Sequence, residues 1–289
     1  MSNQPDARRG GLPRALRSGS LLAGGLLVAG LLVAALAAPW LAPHAPTTIF
    51  PGAEITPPGP RFLLGTDEVG RDILSRVLYG ARVSLGVAIP SVALAVLAGT
   101  TLGVGLGYWG GAPDLLAMRL FDVLFAFPPI LLAIALVAAL GPSTFNLVLT
   151  IAVLTLPQFA VLARSATLAL KPQEFVQAAR ALGASHPRIL GAHVLPNLTP
   201  TLAVQASLSL SIVILVEAAL SFLGLGTQPP APSWGSMLSR GRQYMTIAPW
   251  LVLAPGLAIM LAVLGFNLLG DAQRDLLDPR RAAAGRRTP

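Results

Sequence analysis

Six stretches of this chain run for about twenty residues or more with almost no charge, the length an α-helix needs to cross the hydrocarbon core of a bilayer. They fall at about Gly19–Ala38, Val83–Tyr108, Leu120–Leu140, Asn146–Leu170, Leu202–Leu223 and Ile247–Leu269. In lipid every backbone N–H and C=O must be satisfied within the segment, so such runs are confined to helices. Only 11% of the 289 residues are charged, against about 25% in a soluble domain. That leaves too little polar surface to clothe a globule in water. Pro90, Pro128, Pro129, Pro157 and Pro255 lie within or at the ends of these runs. Spanning helices tolerate them where neighbours re-satisfy the freed carbonyls. The expected fold is an all-α polytopic membrane protein with about six transmembrane helices.

Six spans put both termini on one side, and the basic residues choose the side. With the N-terminus inside, the outer side holds Arg61, Arg71, Arg76, Arg82, Arg240 and Arg242, and the other 14 of the 20 basic residues lie inside. The expectation is N-in and C-in, with cytoplasmic tails over 1–18 and 271–289. The first apolar run, ending near Ala35-Leu36-Ala37, has the look of a signal peptide and its cleavage site. It exceeds the roughly 7–15 residues of such a peptide's apolar core, so a retained first span over 19–38 is expected. The net charge of +8 is read as membrane orientation, not nucleic-acid binding, because no stretch interleaves basic and aromatic residues.

Residues 39–82 form the longest polar connection, on the outer side. Its first part is too rich in proline for a helix interior, with Pro39, Pro43, Pro46, Pro51, Pro57, Pro58 and Pro60. Its second part, Asp67 to Arg82, places Ile73, Val77 and Leu78 on one face and Arg71, Asp72 and Arg76 elsewhere. That pattern predicts an amphipathic helix lying in the interface. The remaining spans form a core over 83–270.

Residues 171–200, on the inner side, make a loop far longer than the tight Gly141-Pro142 connection, and long structured loops carry function disproportionately. Pro172 suits a helix start and Glu174 suits the positive end of the helix dipole. Phe175, Ala178, Ala179 and Leu182 recur at helical spacing as one small apolar face, and Gly183 can end the helix in a left-handed cap. A second short helix is expected from about Pro187 to Val194, stopped by Pro196. The result is a short helix–turn–helix whose small side chains let a partner backbone come close.

At these residues the chain resembles a known family. The spacing of Gln177, Ala178, Ala179, Gly183, Leu195 and Pro196 is similar to the Glu-Ala-Ala loop of ATP-binding-cassette importer permeases. The stretch Leu64-Gly-Thr-Asp-Glu-Val-Gly-Arg-Asp-Ile-Leu-Ser-Arg-Val-Leu-Tyr-Gly-Ala-Arg-Val-Ser-Leu85 resembles the segment after the first span of the dipeptide, oligopeptide and nickel permeases. Glu217-Ala-Ala-Leu-Ser-Phe-Leu-Gly-Leu-Gly226, the Trp234-Gly stretch and Asp271-Ala-Gln-Arg-Asp-Leu-Leu-Asp-Pro-Arg280 resemble later parts of the same family. The likeness runs in order along nearly the whole chain and is nearest to the second, C-type, permease of the pair.

The resemblance implies a type I importer transmembrane domain in a bacterial plasma (inner) membrane. It implies as partners a second homologous permease, two cytoplasmic ATP-binding subunits, an extracytoplasmic solute-binding protein and the lipid bilayer. Glu174, Gln177, Ala178, Ala179, Arg180, Gly183, Leu195 and Pro196 would then dock on an ATPase and carry its motion into the spans. The family usually has Glu where this chain has Gln177. Gln keeps the shape and hydrogen bonding, and Glu174, one turn earlier on the same side, is the candidate for the charge. The solute would be a dipeptide, an oligopeptide or a similar small molecule, with nickel or another metal chelate as the alternative.

The residues argue against catalysis by this chain and against a cofactor of its own. A phosphate-binding loop needs Gly-Lys-Ser/Thr, and the only lysine, Lys171, precedes Pro172; ATP must bind a partner. Gly105-Leu-Gly-Tyr-Trp-Gly110 follows no strand and reads as helix packing and termination. His44, His186 and His193 lack ligand spacing, and with no Cys in the chain disulfides, thiolate metal sites and Cys nucleophiles are excluded. Glu217, near the outer end of the fifth span, either lines the path, snorkels or makes a structural hydrogen bond. Asp122 reads as the partner of Arg119 in a local i, i+3 pair at the inner mouth of the third span. Asn146, Gln158, Gln205 and Asn267 read as interhelical hydrogen-bonding groups. A secondary transporter driven by an ion gradient is the rival of another class, but no inverted repeat is visible.

Overall fold

The computed structural model describes residues 14–277. They form α1 (Arg14–Leu36), α2 (Ala38–Leu41), α3 (Ile73–Trp109), α4 (Gly111–Ala126), α5 (Pro129–Leu140) and α6 (Thr144–Leu170). There follow α7 (Glu174–Ala181), α8 (His186–Ile189), α9 (Leu195–Phe222), α10 (Trp234–Gly241) and α11 (Trp250–Leu277). Among the described residues the only strand-like feature is an isolated bridge between Thr66 and Asp72. Of the expected tails, residues 1–13 and 278–289 lie outside the described residues, including Arg8, Arg9 and the last three residues of the Asp271–Arg280 motif.

The direction of α6 relative to α3 decides the topology. Ser91 on α3 donates to the carbonyl of Val148 on α6. Gly99 abuts Leu156 and Phe159, Gly103 abuts Ala160, and Gly107 abuts Arg164 and Thr167. The partner numbers rise together, so the two helices run parallel. Parallel neighbours in a bilayer require a crossing between them, and residues 110–143 must supply it. They do so as α4 and α5, which meet at 98°.

This corrects the expectation of one uninterrupted span over Leu120–Leu140. Pro128 and Pro129 have no N–H to donate, and Phe127, preceding a proline, is held extended at φ −92°, ψ 142°. The helix breaks there and restarts at Pro129. Five helices are by themselves long and apolar enough to span, and the bent pair makes a sixth crossing.

The remaining helices alternate in direction. Ser211 and Ser207 on α9 donate to Asn267 (2.8 Å) and Gln273 (3.0 Å) on α11, so those helices are antiparallel. α1 runs antiparallel to α11, with Gly24 against Leu269 and Gly265 against Leu27 and Val28. The start of α1, the α6–α9 connection and the end of α11 therefore share one end, called inner after the arginine asymmetry. The 42–72 segment and α10 occupy the outer end.

The outer segment differs from the sequence expectation. No separate amphipathic helix lies over 67–82. The helix starts at Ile73, where the Asp72 carboxylate accepts from the backbone N–H of Ser75 (2.9 Å). It then continues unbroken to Trp109. At about 1.5 Å per residue this is roughly 55 Å, longer than the hydrocarbon core is thick, so its outer turns stand clear of the lipid.

The charges expected on the wet face are buried instead. Arg71, Asp72 and Arg76 are all nearly inaccessible. Asp67 accepts from the backbone N–H of Val69 and Arg71 and from Arg71 Nε at 2.7 Å, with Arg76 Nε at 3.4 Å. Arg76 also donates to the carbonyl of Pro46 (2.9 Å). Such burial is tolerable because every charge is paired or hydrogen-bonded. The cluster holds the 42–72 segment on α3, while Trp250 Nε1 donates to Thr66 from α11 and Trp234 Nε1 donates to Val77 from α10.

Candidate functional site

The inner connection between α6 and α9 is a folded surface. Gln173 precedes α7 in an extended conformation, and Glu174 stands in the first turn, where the helix dipole favours a carboxylate. Gly183 ends the helix at φ +81°, a conformation open to glycine at little cost. Its neighbour Ala184 donates to the carbonyl of Ala179 at 3.0 Å, closing a Schellman turn.

The second helix departs from the expectation that Pro196 stops it. α8 passes into a π-helical turn at Leu190–Val194 and then directly into α9, with Pro196 in the first turn. Proline suits a first turn, where its missing N–H has no partner to lose. The wider π turn absorbs the break in the ladder. Asn197 donates to the carbonyl of His193 (2.7 Å) and Thr199 to that of Leu195 (3.0 Å). Residues 195–200 are thus the start of the spanning helix.

Three buried side chains, Val176, Ile189 and Val194, pin this connection to the helices beneath it. Of the expected apolar face, Ala179 is partly buried and packs on the core. Phe175, Ala178 and Leu182 point outward, Leu182 being 88% exposed. Glu174, Gln177 and Arg180 are also exposed. Gln177 does not reach outward for a charge: its Nε2 donates to the carbonyl of Lys171 at 2.9 Å. The result is an apolar patch of helix ringed by polar groups at the inner end of the bundle.

Tyr108, on the last turn of α3, ties this patch to the spans. It is buried, its hydroxyl lies 2.7 Å from Nδ1 of His186, and Arg180 Nη2 donates to the same oxygen at 3.3 Å. Lys171 Nζ donates to the Tyr108 carbonyl at 2.7 Å. Both cations also sit 5.8 Å from the ring centroid, within cation–π range. Tyr108 is missed when the sequence is read for motifs, because its partners lie 63 to 78 residues away. His186, which lacks ligand spacing in the sequence, is one of them.

The two remaining candidates sit elsewhere. Glu217 is fully buried near the outer end of α9, which rules out snorkelling, and its Oε1 accepts from Ser221 at 2.7 Å. Asp122, on α4, pairs with Arg119 at 3.7 Å on an exposed face. The strong acid–base pair there is one the sequence does not flag: Arg164 on α6 clasps Asp114 on α4 through Nε and through Nη2 at 2.7 Å. Among the expected interhelical groups, Asn267 bonds α9 to α11 as anticipated. Asn146 instead caps the carbonyls of Leu140 and Gly141.

Residues 99–283 match the family described as binding-protein-dependent transport system inner membrane component. The chain is 48% identical over 243 residues to the dipeptide transport system permease protein DppC of Alkalihalophilus pseudofirmus, covering 84% of this chain and 80% of that protein. It is 47% identical to the di/tripeptide transport system permease protein DppC of Pseudomonas aeruginosa, covering 84% and 82%. The glutathione transport system permease protein GsiD of Pectobacterium atrosepticum is 49% identical over 75% of this chain and 72% of that protein. A parallel α3–α6 pair, six crossings and a folded inner connection thus occur in a chain that belongs to the binding-protein-dependent transport system inner membrane components, the permease subunits of ATP-binding-cassette importers.

Proposed function

We propose that this chain forms one half of the translocation pathway of an importer for small peptides, beside a second, homologous permease. A binding-protein-dependent permease works with an ATPase and a solute-binding protein. On this reading two ATP-binding subunits dock from the cytoplasm and the binding protein delivers solute at the outer end. Support for peptides comes from relatives whose names specify dipeptides, di/tripeptides and glutathione.

The observation that carries the reading is the exposed patch of Phe175, Ala178 and Leu182 at the inner end. A small apolar face rimmed by polar groups, on a helix anchored from below, suits a groove on an ATPase. Glu174, Gln177 and Arg180 form its rim. Ala179 sets its depth, and Gly183 fixes the turn. Leu195 and Pro196 continue it into α9. Glu217 acts as a structural hydrogen-bonding group and Asp122 as a local ion-pair partner.

The test is uptake of a labelled dipeptide by vesicles holding the complete transporter, with the binding protein outside and ATP inside. The proposal expects uptake only with internal ATP. Uptake without ATP, driven by an imposed ion gradient, would sink it in favour of a secondary transporter.

A further inference from the structure

We propose that Tyr108 is the positioning residue through which the inner patch moves α3, and that the α3–α6 pair is the body displaced when ATP is bound. This rests on the docking role given above to α7 and α8.

The connection has two covalent attachments to the bundle, and they differ in stiffness. Toward α9 it passes through the π-helical turn at Leu190–Val194, a wider and less regular turn than the α-helix on either side. Toward α6 it passes through the short turn at Lys171–Gln173, closed by Gln177 on the Lys171 carbonyl. Beside the buried apolar anchors Val176, Ile189 and Val194, the polar attachment is Tyr108, which gathers the parts of the patch at one residue. His186 opens α8, Arg180 sits on α7 and Lys171 ends α6. All three reach the same residue.

The chemistry of the hydroxyl lets it serve both helices at once. A phenol has one hydrogen to give and lone pairs to receive. Arg180 can only donate, so its guanidinium takes one lone pair. The His186 tautomer sets the other bond: Nδ1 receives the Tyr108 hydrogen when bare and donates to the second lone pair when protonated. The hydroxyl therefore bridges α7 to α8 while its ring is fixed at the end of α3. Phenylalanine at this position keeps the buried ring and both cation–π contacts but loses both bridging bonds.

α3 does not move alone. Gly99, Gly103 and Gly107 put its backbone against that of α6 so closely that a Cβ on any of them would fall within 2.8 Å of a carbonyl oxygen. Backbone-to-backbone packing of this kind leaves no side-chain layer to slip. A displacement taken up at Tyr108 therefore carries both helices. On the other side of α3 lies a groove of about 410 Å³ toward α9, with Thr100 and Thr101 on one wall and Thr199 and Ala203 on the other. Movement of α3 with α6, with flexure at the π turn, changes the width of this groove at its inner end.

The chain has no native cysteine, which makes the test direct. Thr101→Cys and Thr199→Cys are spin-labelled in the complete transporter in lipid vesicles, and their separation is measured before and after trapping with ATP and vanadate. A separate Ala181→Cys reports docking by its protection from a membrane-impermeant maleimide when the ATPase is present. The parent is expected to show protection and a shift in the Thr101–Thr199 distance. Tyr108→Phe and His186→Leu are expected to keep the protection and lose the shift. His186→Asn, whose side-chain amide can either accept or donate at the place of Nδ1, is expected to restore it.

A shift in Tyr108→Phe equal to the parent's, or failure of His186→Asn, overturns the positioning role. So does loss of Ala181 protection in Tyr108→Phe, which would make Tyr108 a support for the fold of the patch and nothing more. Protection without any shift in the parent overturns the movement while leaving docking intact. Absence of protection in the parent overturns the docking reading itself, and this inference with it.

Discussion

Gly103 on α3 lies so close to Ala160 on α6 that a Cβ added to it would stand 2.2 Å from the Ala160 carbonyl oxygen. No rotamer relieves that clash, because the obstacle is backbone. Gly103→Ala should therefore push the two helices apart and destabilise the protein by about 1–3 kcal/mol or more. Gly86, on the same helix with nothing within 4 Å of its added Cβ, is the control. The check is thermal stability in detergent, with Gly103→Ala melting well below the parent and Gly86→Ala close to it.

Arg164 and Asp114 join α6 to the first turn of α4 by two hydrogen bonds. Charge-assisted pairs of this form are the stronger ones. Asp114→Ala leaves the guanidinium unpaired and should cost about 1.5–3 kcal/mol. The exchange Asp114→Arg with Arg164→Asp should recover part of that loss, and a double-mutant comparison of melting temperatures measures it.

How much of this was legible from residues alone differs between the two ends of the bundle. The apolar runs of α1, α6, α9 and α11 read directly, because lipid leaves a helix no other way to satisfy its backbone. Hydropathy has no sense of direction, however, so the Leu120–Leu140 run hid a 98° bend even though Pro128 and Pro129 stood in view. The outer part of α3 was misread for the opposite reason. Arg76 and Arg82 interrupt the apolar run, and nothing local reveals that Arg76 is buried against Asp67 and the Pro46 carbonyl. At the inner patch, the turn at Gly183 follows from glycine's conformational freedom. The hold of Tyr108 on His186 spans 78 residues of sequence and exists only once α3 and the patch are brought together.

Gly183 sits at φ +81° in the turn that separates α7 from α8. Proline is confined to φ near −65°, so Gly183→Pro cannot close this turn and should distort the patch by more than about 1 kcal/mol. Six crossings depend on no contact made there. The variant is expected to insert in the membrane in normal amount and to lose ATP-driven uptake. Full uptake by Gly183→Pro would mean that the shape of the patch has no part in transport.

The alternation of helix directions predicts where thiol reagents reach. Single cysteines at Leu182, 88% exposed at the inner end, and at Ile49, 55% exposed at the outer end, should label from opposite sides of the membrane. A membrane-impermeant maleimide applied to intact cells stripped of their outer barrier should modify Ile49→Cys and spare Leu182→Cys until the membrane is opened. Labelling of both from outside would break the six-crossing topology.

A permease driven through its inner patch by a separate ATPase should be found in that ATPase's company. The most direct measurement is affinity purification of the chain from its own cells in mild detergent, with mass spectrometry of the proteins that accompany it. An ATPase with a phosphate-binding loop and a second polytopic permease are expected with the parent, and the second permease without the ATPase is expected with a Leu182→Glu variant. Recovery of the chain alone, or retention of the ATPase in Leu182→Glu at the parent level, would contradict docking of the ATPase at the patch.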